Sequence, residues 1–226
     1  MQRTKISFCS GGFLFWWQAG VLMSLQRDAA KTVANAQFHG CSAGSIIAAL
    51  ASCDIDMQKA KGIALRLADE NELWDPKISM ISKISQSIRT FLNELLPEDA
   101  ADKCKGRLVI YATKVDFCSC PIMTCSGLQN FQTKNDIIEA CLASIHVPFL
   151  LDGKVFYSFH KHRYIDGCLF WSTIKNAINI DYNQDEQLKK KKWSIFQNFT
   201  KSDFLQMIEL GQNYGNNMLT KYCFIN

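Results

Sequence analysis

Residues 37–52 read Gln-Phe-His-Gly-Cys-Ser-Ala-Gly-Ser-Ile-Ile-Ala-Ala-Leu-Ala-Ser, a short strand pattern that passes through Gly40-x-Ser42-x-Gly44 into a helix pattern. Small residues at positions 40 and 44 let strand and helix approach closely in a sharp turn, from which the hydroxyl of Ser42 projects into a pocket. The N-terminus of the following helix favours negative charge beside that hydroxyl. The pentapeptide therefore predicts a nucleophilic serine, and the alternative is a tight turn whose serine caps the helix.

A second glycine-rich turn, Ser10-Gly11-Gly12, follows the alternating pattern of residues 5–9 and precedes a helix pattern that begins at Phe15. Bare backbone N–H groups of glycines suit the stabilisation of an oxyanion. We therefore expect Gly11 and Gly12 to form an oxyanion hole. The alternatives are a phosphate-binding turn and a plain strand-to-helix loop. A dinucleotide fingerprint is disfavoured because Ser10 and Phe15 stand where it needs glycines.

A nucleophilic serine also needs a base, which is most often a histidine. The chain has four histidines, at positions 39, 146, 160 and 162. His39 is expected to pack or hydrogen-bond in its strand, and His146 in its loop stays a candidate for the pocket. His160 and His162 fall on one face of a predicted strand, where surface positions are favoured over metal binding.

Asp166-Gly167 offers a different base. Asp166 stands at the end of the alternating segment 157–164, and Gly167 leaves room for a close approach because it has no side chain. An isolated Asp-Gly pair is most often a turn. From the residues alone, histidine and aspartate therefore both stay open as the base.

Taken in this order, the glycine-rich loop, the Gly-x-Ser-x-Gly pentapeptide and the Asp-Gly pair resemble the patatin-like phospholipases, in particular their animal branch. The similar segments include residues 7–14, 143–148 and 163–167, within a match over roughly residues 4–175. The resemblance implies a Ser–Asp dyad without metal or organic cofactor.

In that dyad Ser42 would be the nucleophile and Asp166 the base, with the amides around Gly11 and Gly12 as oxyanion hole. Gly40, Gly44 and Gly167 would be the motif glycines. The resemblance implies a lipid acyl hydrolase, a phospholipase A or acylglycerol lipase, that works through an acyl-enzyme. A lipid acyltransferase on the same dyad is the alternative.

Several residues depart from the family pattern. Ser10 and Phe15 replace the first and last glycines of the loop, Leu14 replaces a basic residue of plant and bacterial members, and Cys168 begins a changed sequence after the Asp-Gly pair. Phe15 would narrow the loop or shift its amides. A catalytically weakened protein that binds lipid or a partner is therefore a further alternative.

Strand patterns at residues 5–9, 37–39 and 107–113 alternate with helix patterns, which predicts an α/β fold with a mostly parallel central sheet flanked by helices. With the resemblance, the expectation is a three-layer, patatin-like fold in a single hydrolase domain over residues 4–226. The last third is expected to be helical. Residues 69–100, with breaks at Pro76 and Pro97, are the expected mobile cap.

Composition excludes several classes of protein. In 226 residues, 48% are hydrophobic and 20% charged, so the chain is long and apolar enough to bury a core. The net charge of +4 does not indicate a nucleic-acid binder. The ten cysteines are expected to be reduced thiols, and Cys118, Cys120 and Cys125 lack the spacing of a zinc site.

No signal peptide and no apolar run long enough for a membrane span is seen, so the expected location is cytoplasmic or peripheral on membranes or lipid droplets. Oligomeric state cannot be predicted.

The apolar residues 13–17 are expected in the core, with an acyl pocket as the alternative. The run Lys189–Lys192, followed by aromatic residues, suits either an anionic membrane surface or a solvated loop.

Overall fold

The computed structural model describes residues 3–74, 81–117, 121–170, 172–191 and 200–221. Its strands are β1 (Lys5–Phe8), β2 (Gln37–Cys41), β3 (Leu108–Phe117), β4 (Pro121–Leu128), β5 (Tyr157–Phe159), β6 (His162–Ile165) and β7 (Ala177–Ile180). Its α-helices are α1 (Phe15–Asp28), α2 (Ala30–Asn35), α3 (Ala43–Ser52), α4 (Met57–Glu70), α5 (Ile81–Leu95), α6 (Ala100–Cys104), α7 (Lys134–Ser144), α8 (Glu186–Lys191) and α9 (Lys201–Lys221).

The strands form one sheet in the order β5-β6-β3-β2-β1-β7, with β4 paired to β3. The helix α3 packs on β1, β2 and β3, and α7 packs on β3, β5 and β6. The predicted α/β architecture, a central sheet flanked by helices, is confirmed. Parallel pairing is confined to β7-β1-β2-β3, and the other described pairs, β3-β4, β3-β6 and β5-β6, are antiparallel. The sheet is therefore mixed rather than mostly parallel.

The strand β3 has an edge that two other strands share. Its residues 110–111 pair with both β2 and β4, and its residues 113–115 pair with both β6 and β4. Because a strand has only two edges, β2 and β6 occupy the same one. β2 runs parallel to β3 and β6 runs antiparallel, so the C-terminal ends of β2 and β6 point at each other across Ala112.

Helices α1 and α9 approach each other so closely that two positions between them admit only glycine. A Cβ atom on Gly20 of α1 would lie 2.1 Å from the carbonyl oxygen of Ile208 in α9, and one on Gly211 would lie 2.0 Å from that of Trp17. The indole Nε1–H of the fully buried Trp17 donates to Asp185 Oδ2 at 2.7 Å, just before α8. These contacts fix α1, and with it the loop that precedes it.

Three expectations are wrong. The alternating segment 157–164 is a hairpin of β5 and β6, whose turn at His160 and Lys161 has positive φ angles. The last third is not wholly helical, because β7 forms an edge of the sheet beside β1. Most of 69–100 is no loose cap either: Leu92 of α5 is fully buried, and α5 forms ion pairs with α4 and α7. Residues 75–80 lie outside the described residues.

Candidate active site

Ser42 stands in a strained turn between β2 and α3, with φ 51° and ψ −129°. A positive φ is unfavourable for a residue with a side chain and is typical of functional turns. Three hydrogen bonds hold the turn. Ser144 Oγ accepts from the Ser42 N–H at 2.8 Å, and the Ser42 carbonyl accepts from the Ser45 N–H at 2.8 Å and from Ser45 Oγ at 2.6 Å. Ser144 Oγ itself donates to the Tyr111 carbonyl at 2.7 Å. The turn is thereby tied to α7 and β3.

The two glycines of the pentapeptide are needed for close packing. A Cβ atom on Gly40 would lie 2.3 Å from the Gly44 carbonyl oxygen, and one on Gly44 would lie 2.3 Å from the Phe8 carbonyl oxygen. Real Cβ atoms do not approach so near, and backbone cannot move aside as a flexible side chain can. Only glycine therefore fits at either position.

Asp166 follows β6 and meets Ser42 across the shared edge of β3. Ser42 Oγ donates to Asp166 Oδ2 at 2.7 Å, although the two residues are 124 positions apart. Only 8% of Ser42 and 4% of Asp166 are exposed. The structure therefore brings together the two residues that the sequence singled out, in a buried site.

Further hydrogen bonds fix Asp166 on every side. Its Oδ1 accepts from the Cys168 N–H at 2.8 Å, its N–H donates to the His146 carbonyl at 2.7 Å, and its carbonyl accepts from Thr113 Oγ1 at 2.9 Å. A Cβ atom on Gly167 would lie 2.3 Å from the Tyr111 carbonyl oxygen, so glycine is required there too. The carboxylate is held in a single orientation toward Ser42.

Burial raises the pKa of Asp166 above its ordinary value, because the site removes water from the charged form. Hydrogen bonds from the Cys168 amide and the Ser42 hydroxyl act in the opposite direction, as does the nearby His146 ring, but burial is the largest effect. A carboxylate with a raised pKa is a stronger base. This environment suits proton transfer from a serine hydroxyl.

The glycine-rich loop lies beside this site. Phe8 of β1 pairs with Gly40 of β2, so Ser10 and Ser42 each stand two residues beyond paired positions. Gly11 and Gly12 lead into a 3₁₀ turn, with φ 51° at Gly12. In the described part of the chain, no acceptor receives a hydrogen bond from either amide. Two adjacent N–H groups therefore remain available at the edge where Ser42 lies.

The apolar run 13–17 belongs largely to the core. Leu14, Phe15 and Trp17 are buried, and Trp16 packs on Phe204 with ring centroids 3.9 Å apart. Phe15 packs edge-on against Phe91 of α5. Of this run, only Phe13 is exposed. The Phe15 side chain is thus packed into the apolar core against Phe91 and does not project into the glycine-rich loop.

In the described residues, none of the four histidines hydrogen-bonds to Ser42. His39 contacts Tyr111 and Gln37, and burial lowers its pKa to about 4. The His146 ring approaches the Lys154 carbonyl at 3.2 Å, and the hydrogen bond of this residue to the site is the one that its carbonyl accepts from the Asp166 N–H. His160 lies in the hairpin turn, near Asp136, and His162 lies in β6. The idea that His160 and His162 share a strand face is therefore wrong.

Metal-binding side chains do not converge. Within the described ranges, no group of three or more His, Cys, Asp or Glu is placed to hold a metal ion. Cys125 is exposed, and Cys118 and Cys120 lie outside those ranges. Lys189 and Lys190 are exposed at the end of α8, while residues 192–199 also lie outside.

Sequence reasoning missed Ser144, Thr113 and the Cys168 amide, which position the site. Ser144 stands in the segment 143–148 that supported the family resemblance, and that segment is the one signal that pointed to it. Thr113 has no local signature, because its role depends on the pairing of β3 with β6.

Comparison with known proteins identifies the family. A model described as patatin-like phospholipase matches residues 6–174, and the chain belongs to this family. The omega-hydroxyceramide transacylase of Mus musculus is 31% identical over 190 residues, which cover 80% of this chain and 31% of that protein.

Two further relatives are animal proteins as well, as expected. The 1-acylglycerol-3-phosphate O-acyltransferase Pnpla3 of Mus musculus is 26% identical over 168 residues, covering 74% of this chain and 39% of that protein. Patatin-like phospholipase domain-containing protein 2 of Homo sapiens is 29% identical over 165 residues, which cover 72% of this chain and 32% of that protein. The chain thus spans between 31% and 39% of the length of these three relatives.

No helix among the described residues has the length and apolarity needed to cross a membrane.

Proposed function

We propose that this chain is a lipid acyl hydrolase that forms an acyl-enzyme on Ser42 with Asp166 as its base. The observation that carries the proposal is the buried 2.7 Å hydrogen bond from Ser42 Oγ to Asp166 Oδ2. A serine that donates to a carboxylate of raised pKa has its proton acceptor in place before substrate binds. Membership in the patatin-like phospholipase family supports an ester-bond substrate of lipid type.

The reaction has two steps. Asp166 takes the proton of Ser42 as Oγ attacks the ester carbonyl, and the amides of Gly11 and Gly12 stabilise the oxyanion. The proton passes to the departing alcohol, which leaves an ester on Ser42. Water, deprotonated by Asp166, then attacks that ester. The bond from the acyl carbon to Ser42 Oγ breaks, the fatty acid leaves, and Asp166 returns the proton to Ser42 Oγ.

A lipid surface is the proposed location of this substrate. Four large apolar side chains are exposed beside Asp166: Phe149 (68%) and Leu150 follow His146, and Leu169 (58%) and Phe170 (49%) follow Cys168. Exposed apolar groups concentrated near a site are typical of surfaces that contact a membrane or an apolar ligand. We therefore propose peripheral binding to lipid through the side of the site that Asp166 occupies.

Transacylation is the second candidate, because two of the relatives are named as a transacylase and an acyltransferase. The acyl-enzyme is the same, and an alcohol replaces water in the second step. Products formed with and without an added acceptor alcohol distinguish the two reactions.

A fluorophosphonate probe tests the dyad, since it reacts covalently with an activated serine. We expect labelling of the wild type, none of Ser42→Ala, and strongly slowed labelling of Asp166→Asn. Ser24→Ala is a matched control, because Ser24 is also a buried serine and donates to a backbone carbonyl, that of Gln212 at 2.9 Å. Folded wild type that neither labels nor releases p-nitrophenol from p-nitrophenyl butyrate would refute the proposal in favour of a binding protein.

A further inference from the structure

A polar cavity of about 190 Å³ lies where β1 and β7 end. Its lining includes Ser10, Ser172, Thr173, Asp181 and Asn183. Cavities that hold drug-sized ligands measure about 300 Å³ or more, so this one suits a smaller polar group. We propose that it binds the acyl acceptor of this site, namely the uncharged, hydroxyl-bearing head group of a lipid alcohol such as a monoacylglycerol. This inference rests on the proposed function.

The cavity adjoins the candidate active site through the chain and through the sheet. Phe8 pairs with Gly40 on one side and with Ile180 on the other. The ends of β2, β1 and β7 are therefore neighbours at a strand spacing of about 5 Å. Ser10 of the cavity leads directly into Gly11, and the short turn Gly167–Leu169 lies between Asp166 and Ser172.

Tyr182 also links the cavity to the dyad. Its ring lines the cavity and would lie 3.8 Å from a Cβ atom on Gly11. Burial raises the pKa of the Tyr182 hydroxyl, and Cys9, Asp181 and Cys168 raise it further, while a hydrogen bond with Asn183 lowers it. The amide of Cys168 is the one that bonds to Asp166. An acceptor held in the cavity is therefore next to Gly11 of the glycine-rich loop, through Tyr182 and through Ser10.

Asp181 gives the cavity a free hydrogen-bond acceptor. Its Oδ1 accepts from the Asn183 N–H and from Asn183 Nδ2, both at 2.9 Å. No donor among the described residues bonds to its Oδ2. A hydroxyl of the acceptor would donate to Oδ2, while the hydroxyls of Ser172 and Thr173 bond to a second hydroxyl.

The charge of the lining selects among lipid alcohols. Among the described residues that line the cavity, Asp181 carries a charge and no Lys or Arg is present. A phosphate-bearing alcohol would meet a carboxylate there and no cation to pair with, which is unfavourable in a partly desolvated site. The cavity therefore favours a neutral glycerol head over a phosphorylated one.

The transfer step balances without another reactant. The acceptor O–H attacks the carbonyl carbon of the Ser42 ester, so a new C–O bond forms and the bond to Ser42 Oγ breaks. Asp166 takes the proton from the acceptor and returns it to Ser42 Oγ. The site is then ready for the next acyl donor.

The test measures how the acyl-enzyme divides between water and acceptor. The full chain receives p-nitrophenyl dodecanoate as donor with monooleoylglycerol or 1-oleoyl lysophosphatidate as acceptor. Release of p-nitrophenol reports acylation, and mass spectrometry reports free acid against transferred acyl group. We expect at least about tenfold more transfer to monooleoylglycerol, and a loss of about tenfold in the ratio of transfer to hydrolysis in Asp181→Asn, as for one hydrogen bond to a charged group.

Asp102→Asn is the matched control, because Asp102 is an exposed carboxylate in α6 at the opposite end of the sheet. Release of p-nitrophenol with equal transfer to the two acceptors, with transfer to neither, or with an unchanged ratio in Asp181→Asn would overturn this inference alone. Failure of the wild type to release p-nitrophenol would overturn the proposed function, and the inference with it. The partition ratio is independent of how much of a variant folds, since both products come from the same acyl-enzyme.

Discussion

The hydroxyl of Ser144 accepts a hydrogen bond from the backbone N–H of Ser42 and donates one to the carbonyl of Tyr111. One side chain from α7 therefore holds the strained turn of the candidate nucleophile against β3. It also occupies the amide of Ser42, so that amide is not free to stabilise an oxyanion. The oxyanion donors must come from elsewhere, which is consistent with a role for Gly11 and Gly12.

Ser144→Ala is expected to slow acylation by about 10- to 100-fold, because the amide of Ser42 loses its buried partner at a cost of about 1–3 kcal/mol and the turn relaxes. Fluorophosphonate labelling rates and thermal unfolding measure the two effects. Ser24→Ala removes a comparable buried hydrogen bond, between α1 and α9, and should lower stability without slowing acylation. Equal labelling rates in Ser144→Ala and wild type would contradict a positioning role.

Gly44→Ala is expected to lower the free energy of unfolding by about 1–3 kcal/mol or more and to abolish labelling. The new methyl group would meet the carbonyl oxygens of Phe8 and Cys9 at 2.3 and 2.5 Å, which pushes the end of β1 and the glycine-rich loop away from Ser42. Denaturant unfolding and probe labelling measure both.

Gly62→Ala is the matched control for that prediction. Gly62 is exposed in α4, and a Cβ atom there would have no neighbour within 4 Å. The substitution should raise the free energy of unfolding by about 0.5–1 kcal/mol and leave labelling unchanged. If the two alanine variants behave alike, the packing argument is wrong.

Asp166→Asn is expected to reduce activity by about 10²–10⁴-fold, the usual contribution of a general base, while raising thermal stability at neutral pH. The pKa of Asp166 is raised in the fold, so between its unfolded and folded values the folded state binds more protons than the unfolded state. Stability therefore falls as pH rises through this interval. Asparagine does not titrate, so it contributes no such fall in stability. The difference in free energy of unfolding between Asp166→Asn and the wild type should therefore grow as pH rises through this interval and then become constant.

Unfolding temperatures of wild type and Asp166→Asn across pH, with hydrolysis of p-nitrophenyl butyrate in parallel, measure this relationship. Wild-type activity should rise with pH over the same interval, because the charged carboxylate is the base. A stability advantage that shrinks with rising pH would show that the carboxylate is stabilised rather than penalised by its burial.

Leu169→Ser with Phe170→Ser is expected to weaken binding to phosphatidylcholine vesicles by about tenfold or more, since two apolar side chains no longer enter the lipid. Flotation with vesicles measures binding. Hydrolysis of vesicle lipid, relative to p-nitrophenyl butyrate, measures its consequence. Leu205→Ser removes a leucine of similar exposure (42%) from α9 and should leave both unchanged. Vesicle binding that survives the double substitution places the lipid contact elsewhere.

The candidate dyad and its glycines could be predicted because their signals are local. A Cβ atom on Gly40, Gly44 or Gly167 would collide with backbone, and each of these glycines stands within two positions of Ser42 or Asp166, the candidate catalytic residues. The strand β7 was not predicted, since the alternation of Ile178 and Ile180 extends over only four residues and the strand depends on its pairing with β1.

The hairpin of β5 and β6 and the position of Ser144 could not be predicted from the sequence either. The turn at His160 and Lys161 contains no glycine, asparagine or proline, so its positive φ angles leave no mark in the sequence. Ser144 lies 102 residues from the amide it accepts from. Neither local propensity nor periodicity contains such a long-range contact.

β2 and β6 meet end to end along one edge of β3, so β3 sets the spacing of the candidate catalytic pair. Pairing with β2 ends at Tyr111 and pairing with β6 ends at Thr113, with Ala112 between them, so the distance between hydroxyl and carboxylate depends on the backbone of β3. Inserting a residue beside Ala112 would move the ends of β2 and β6 apart by about 3.3 Å and would turn the side chains beyond the insertion to the opposite face of the sheet. The dyad would then come apart although every residue that forms it was left intact.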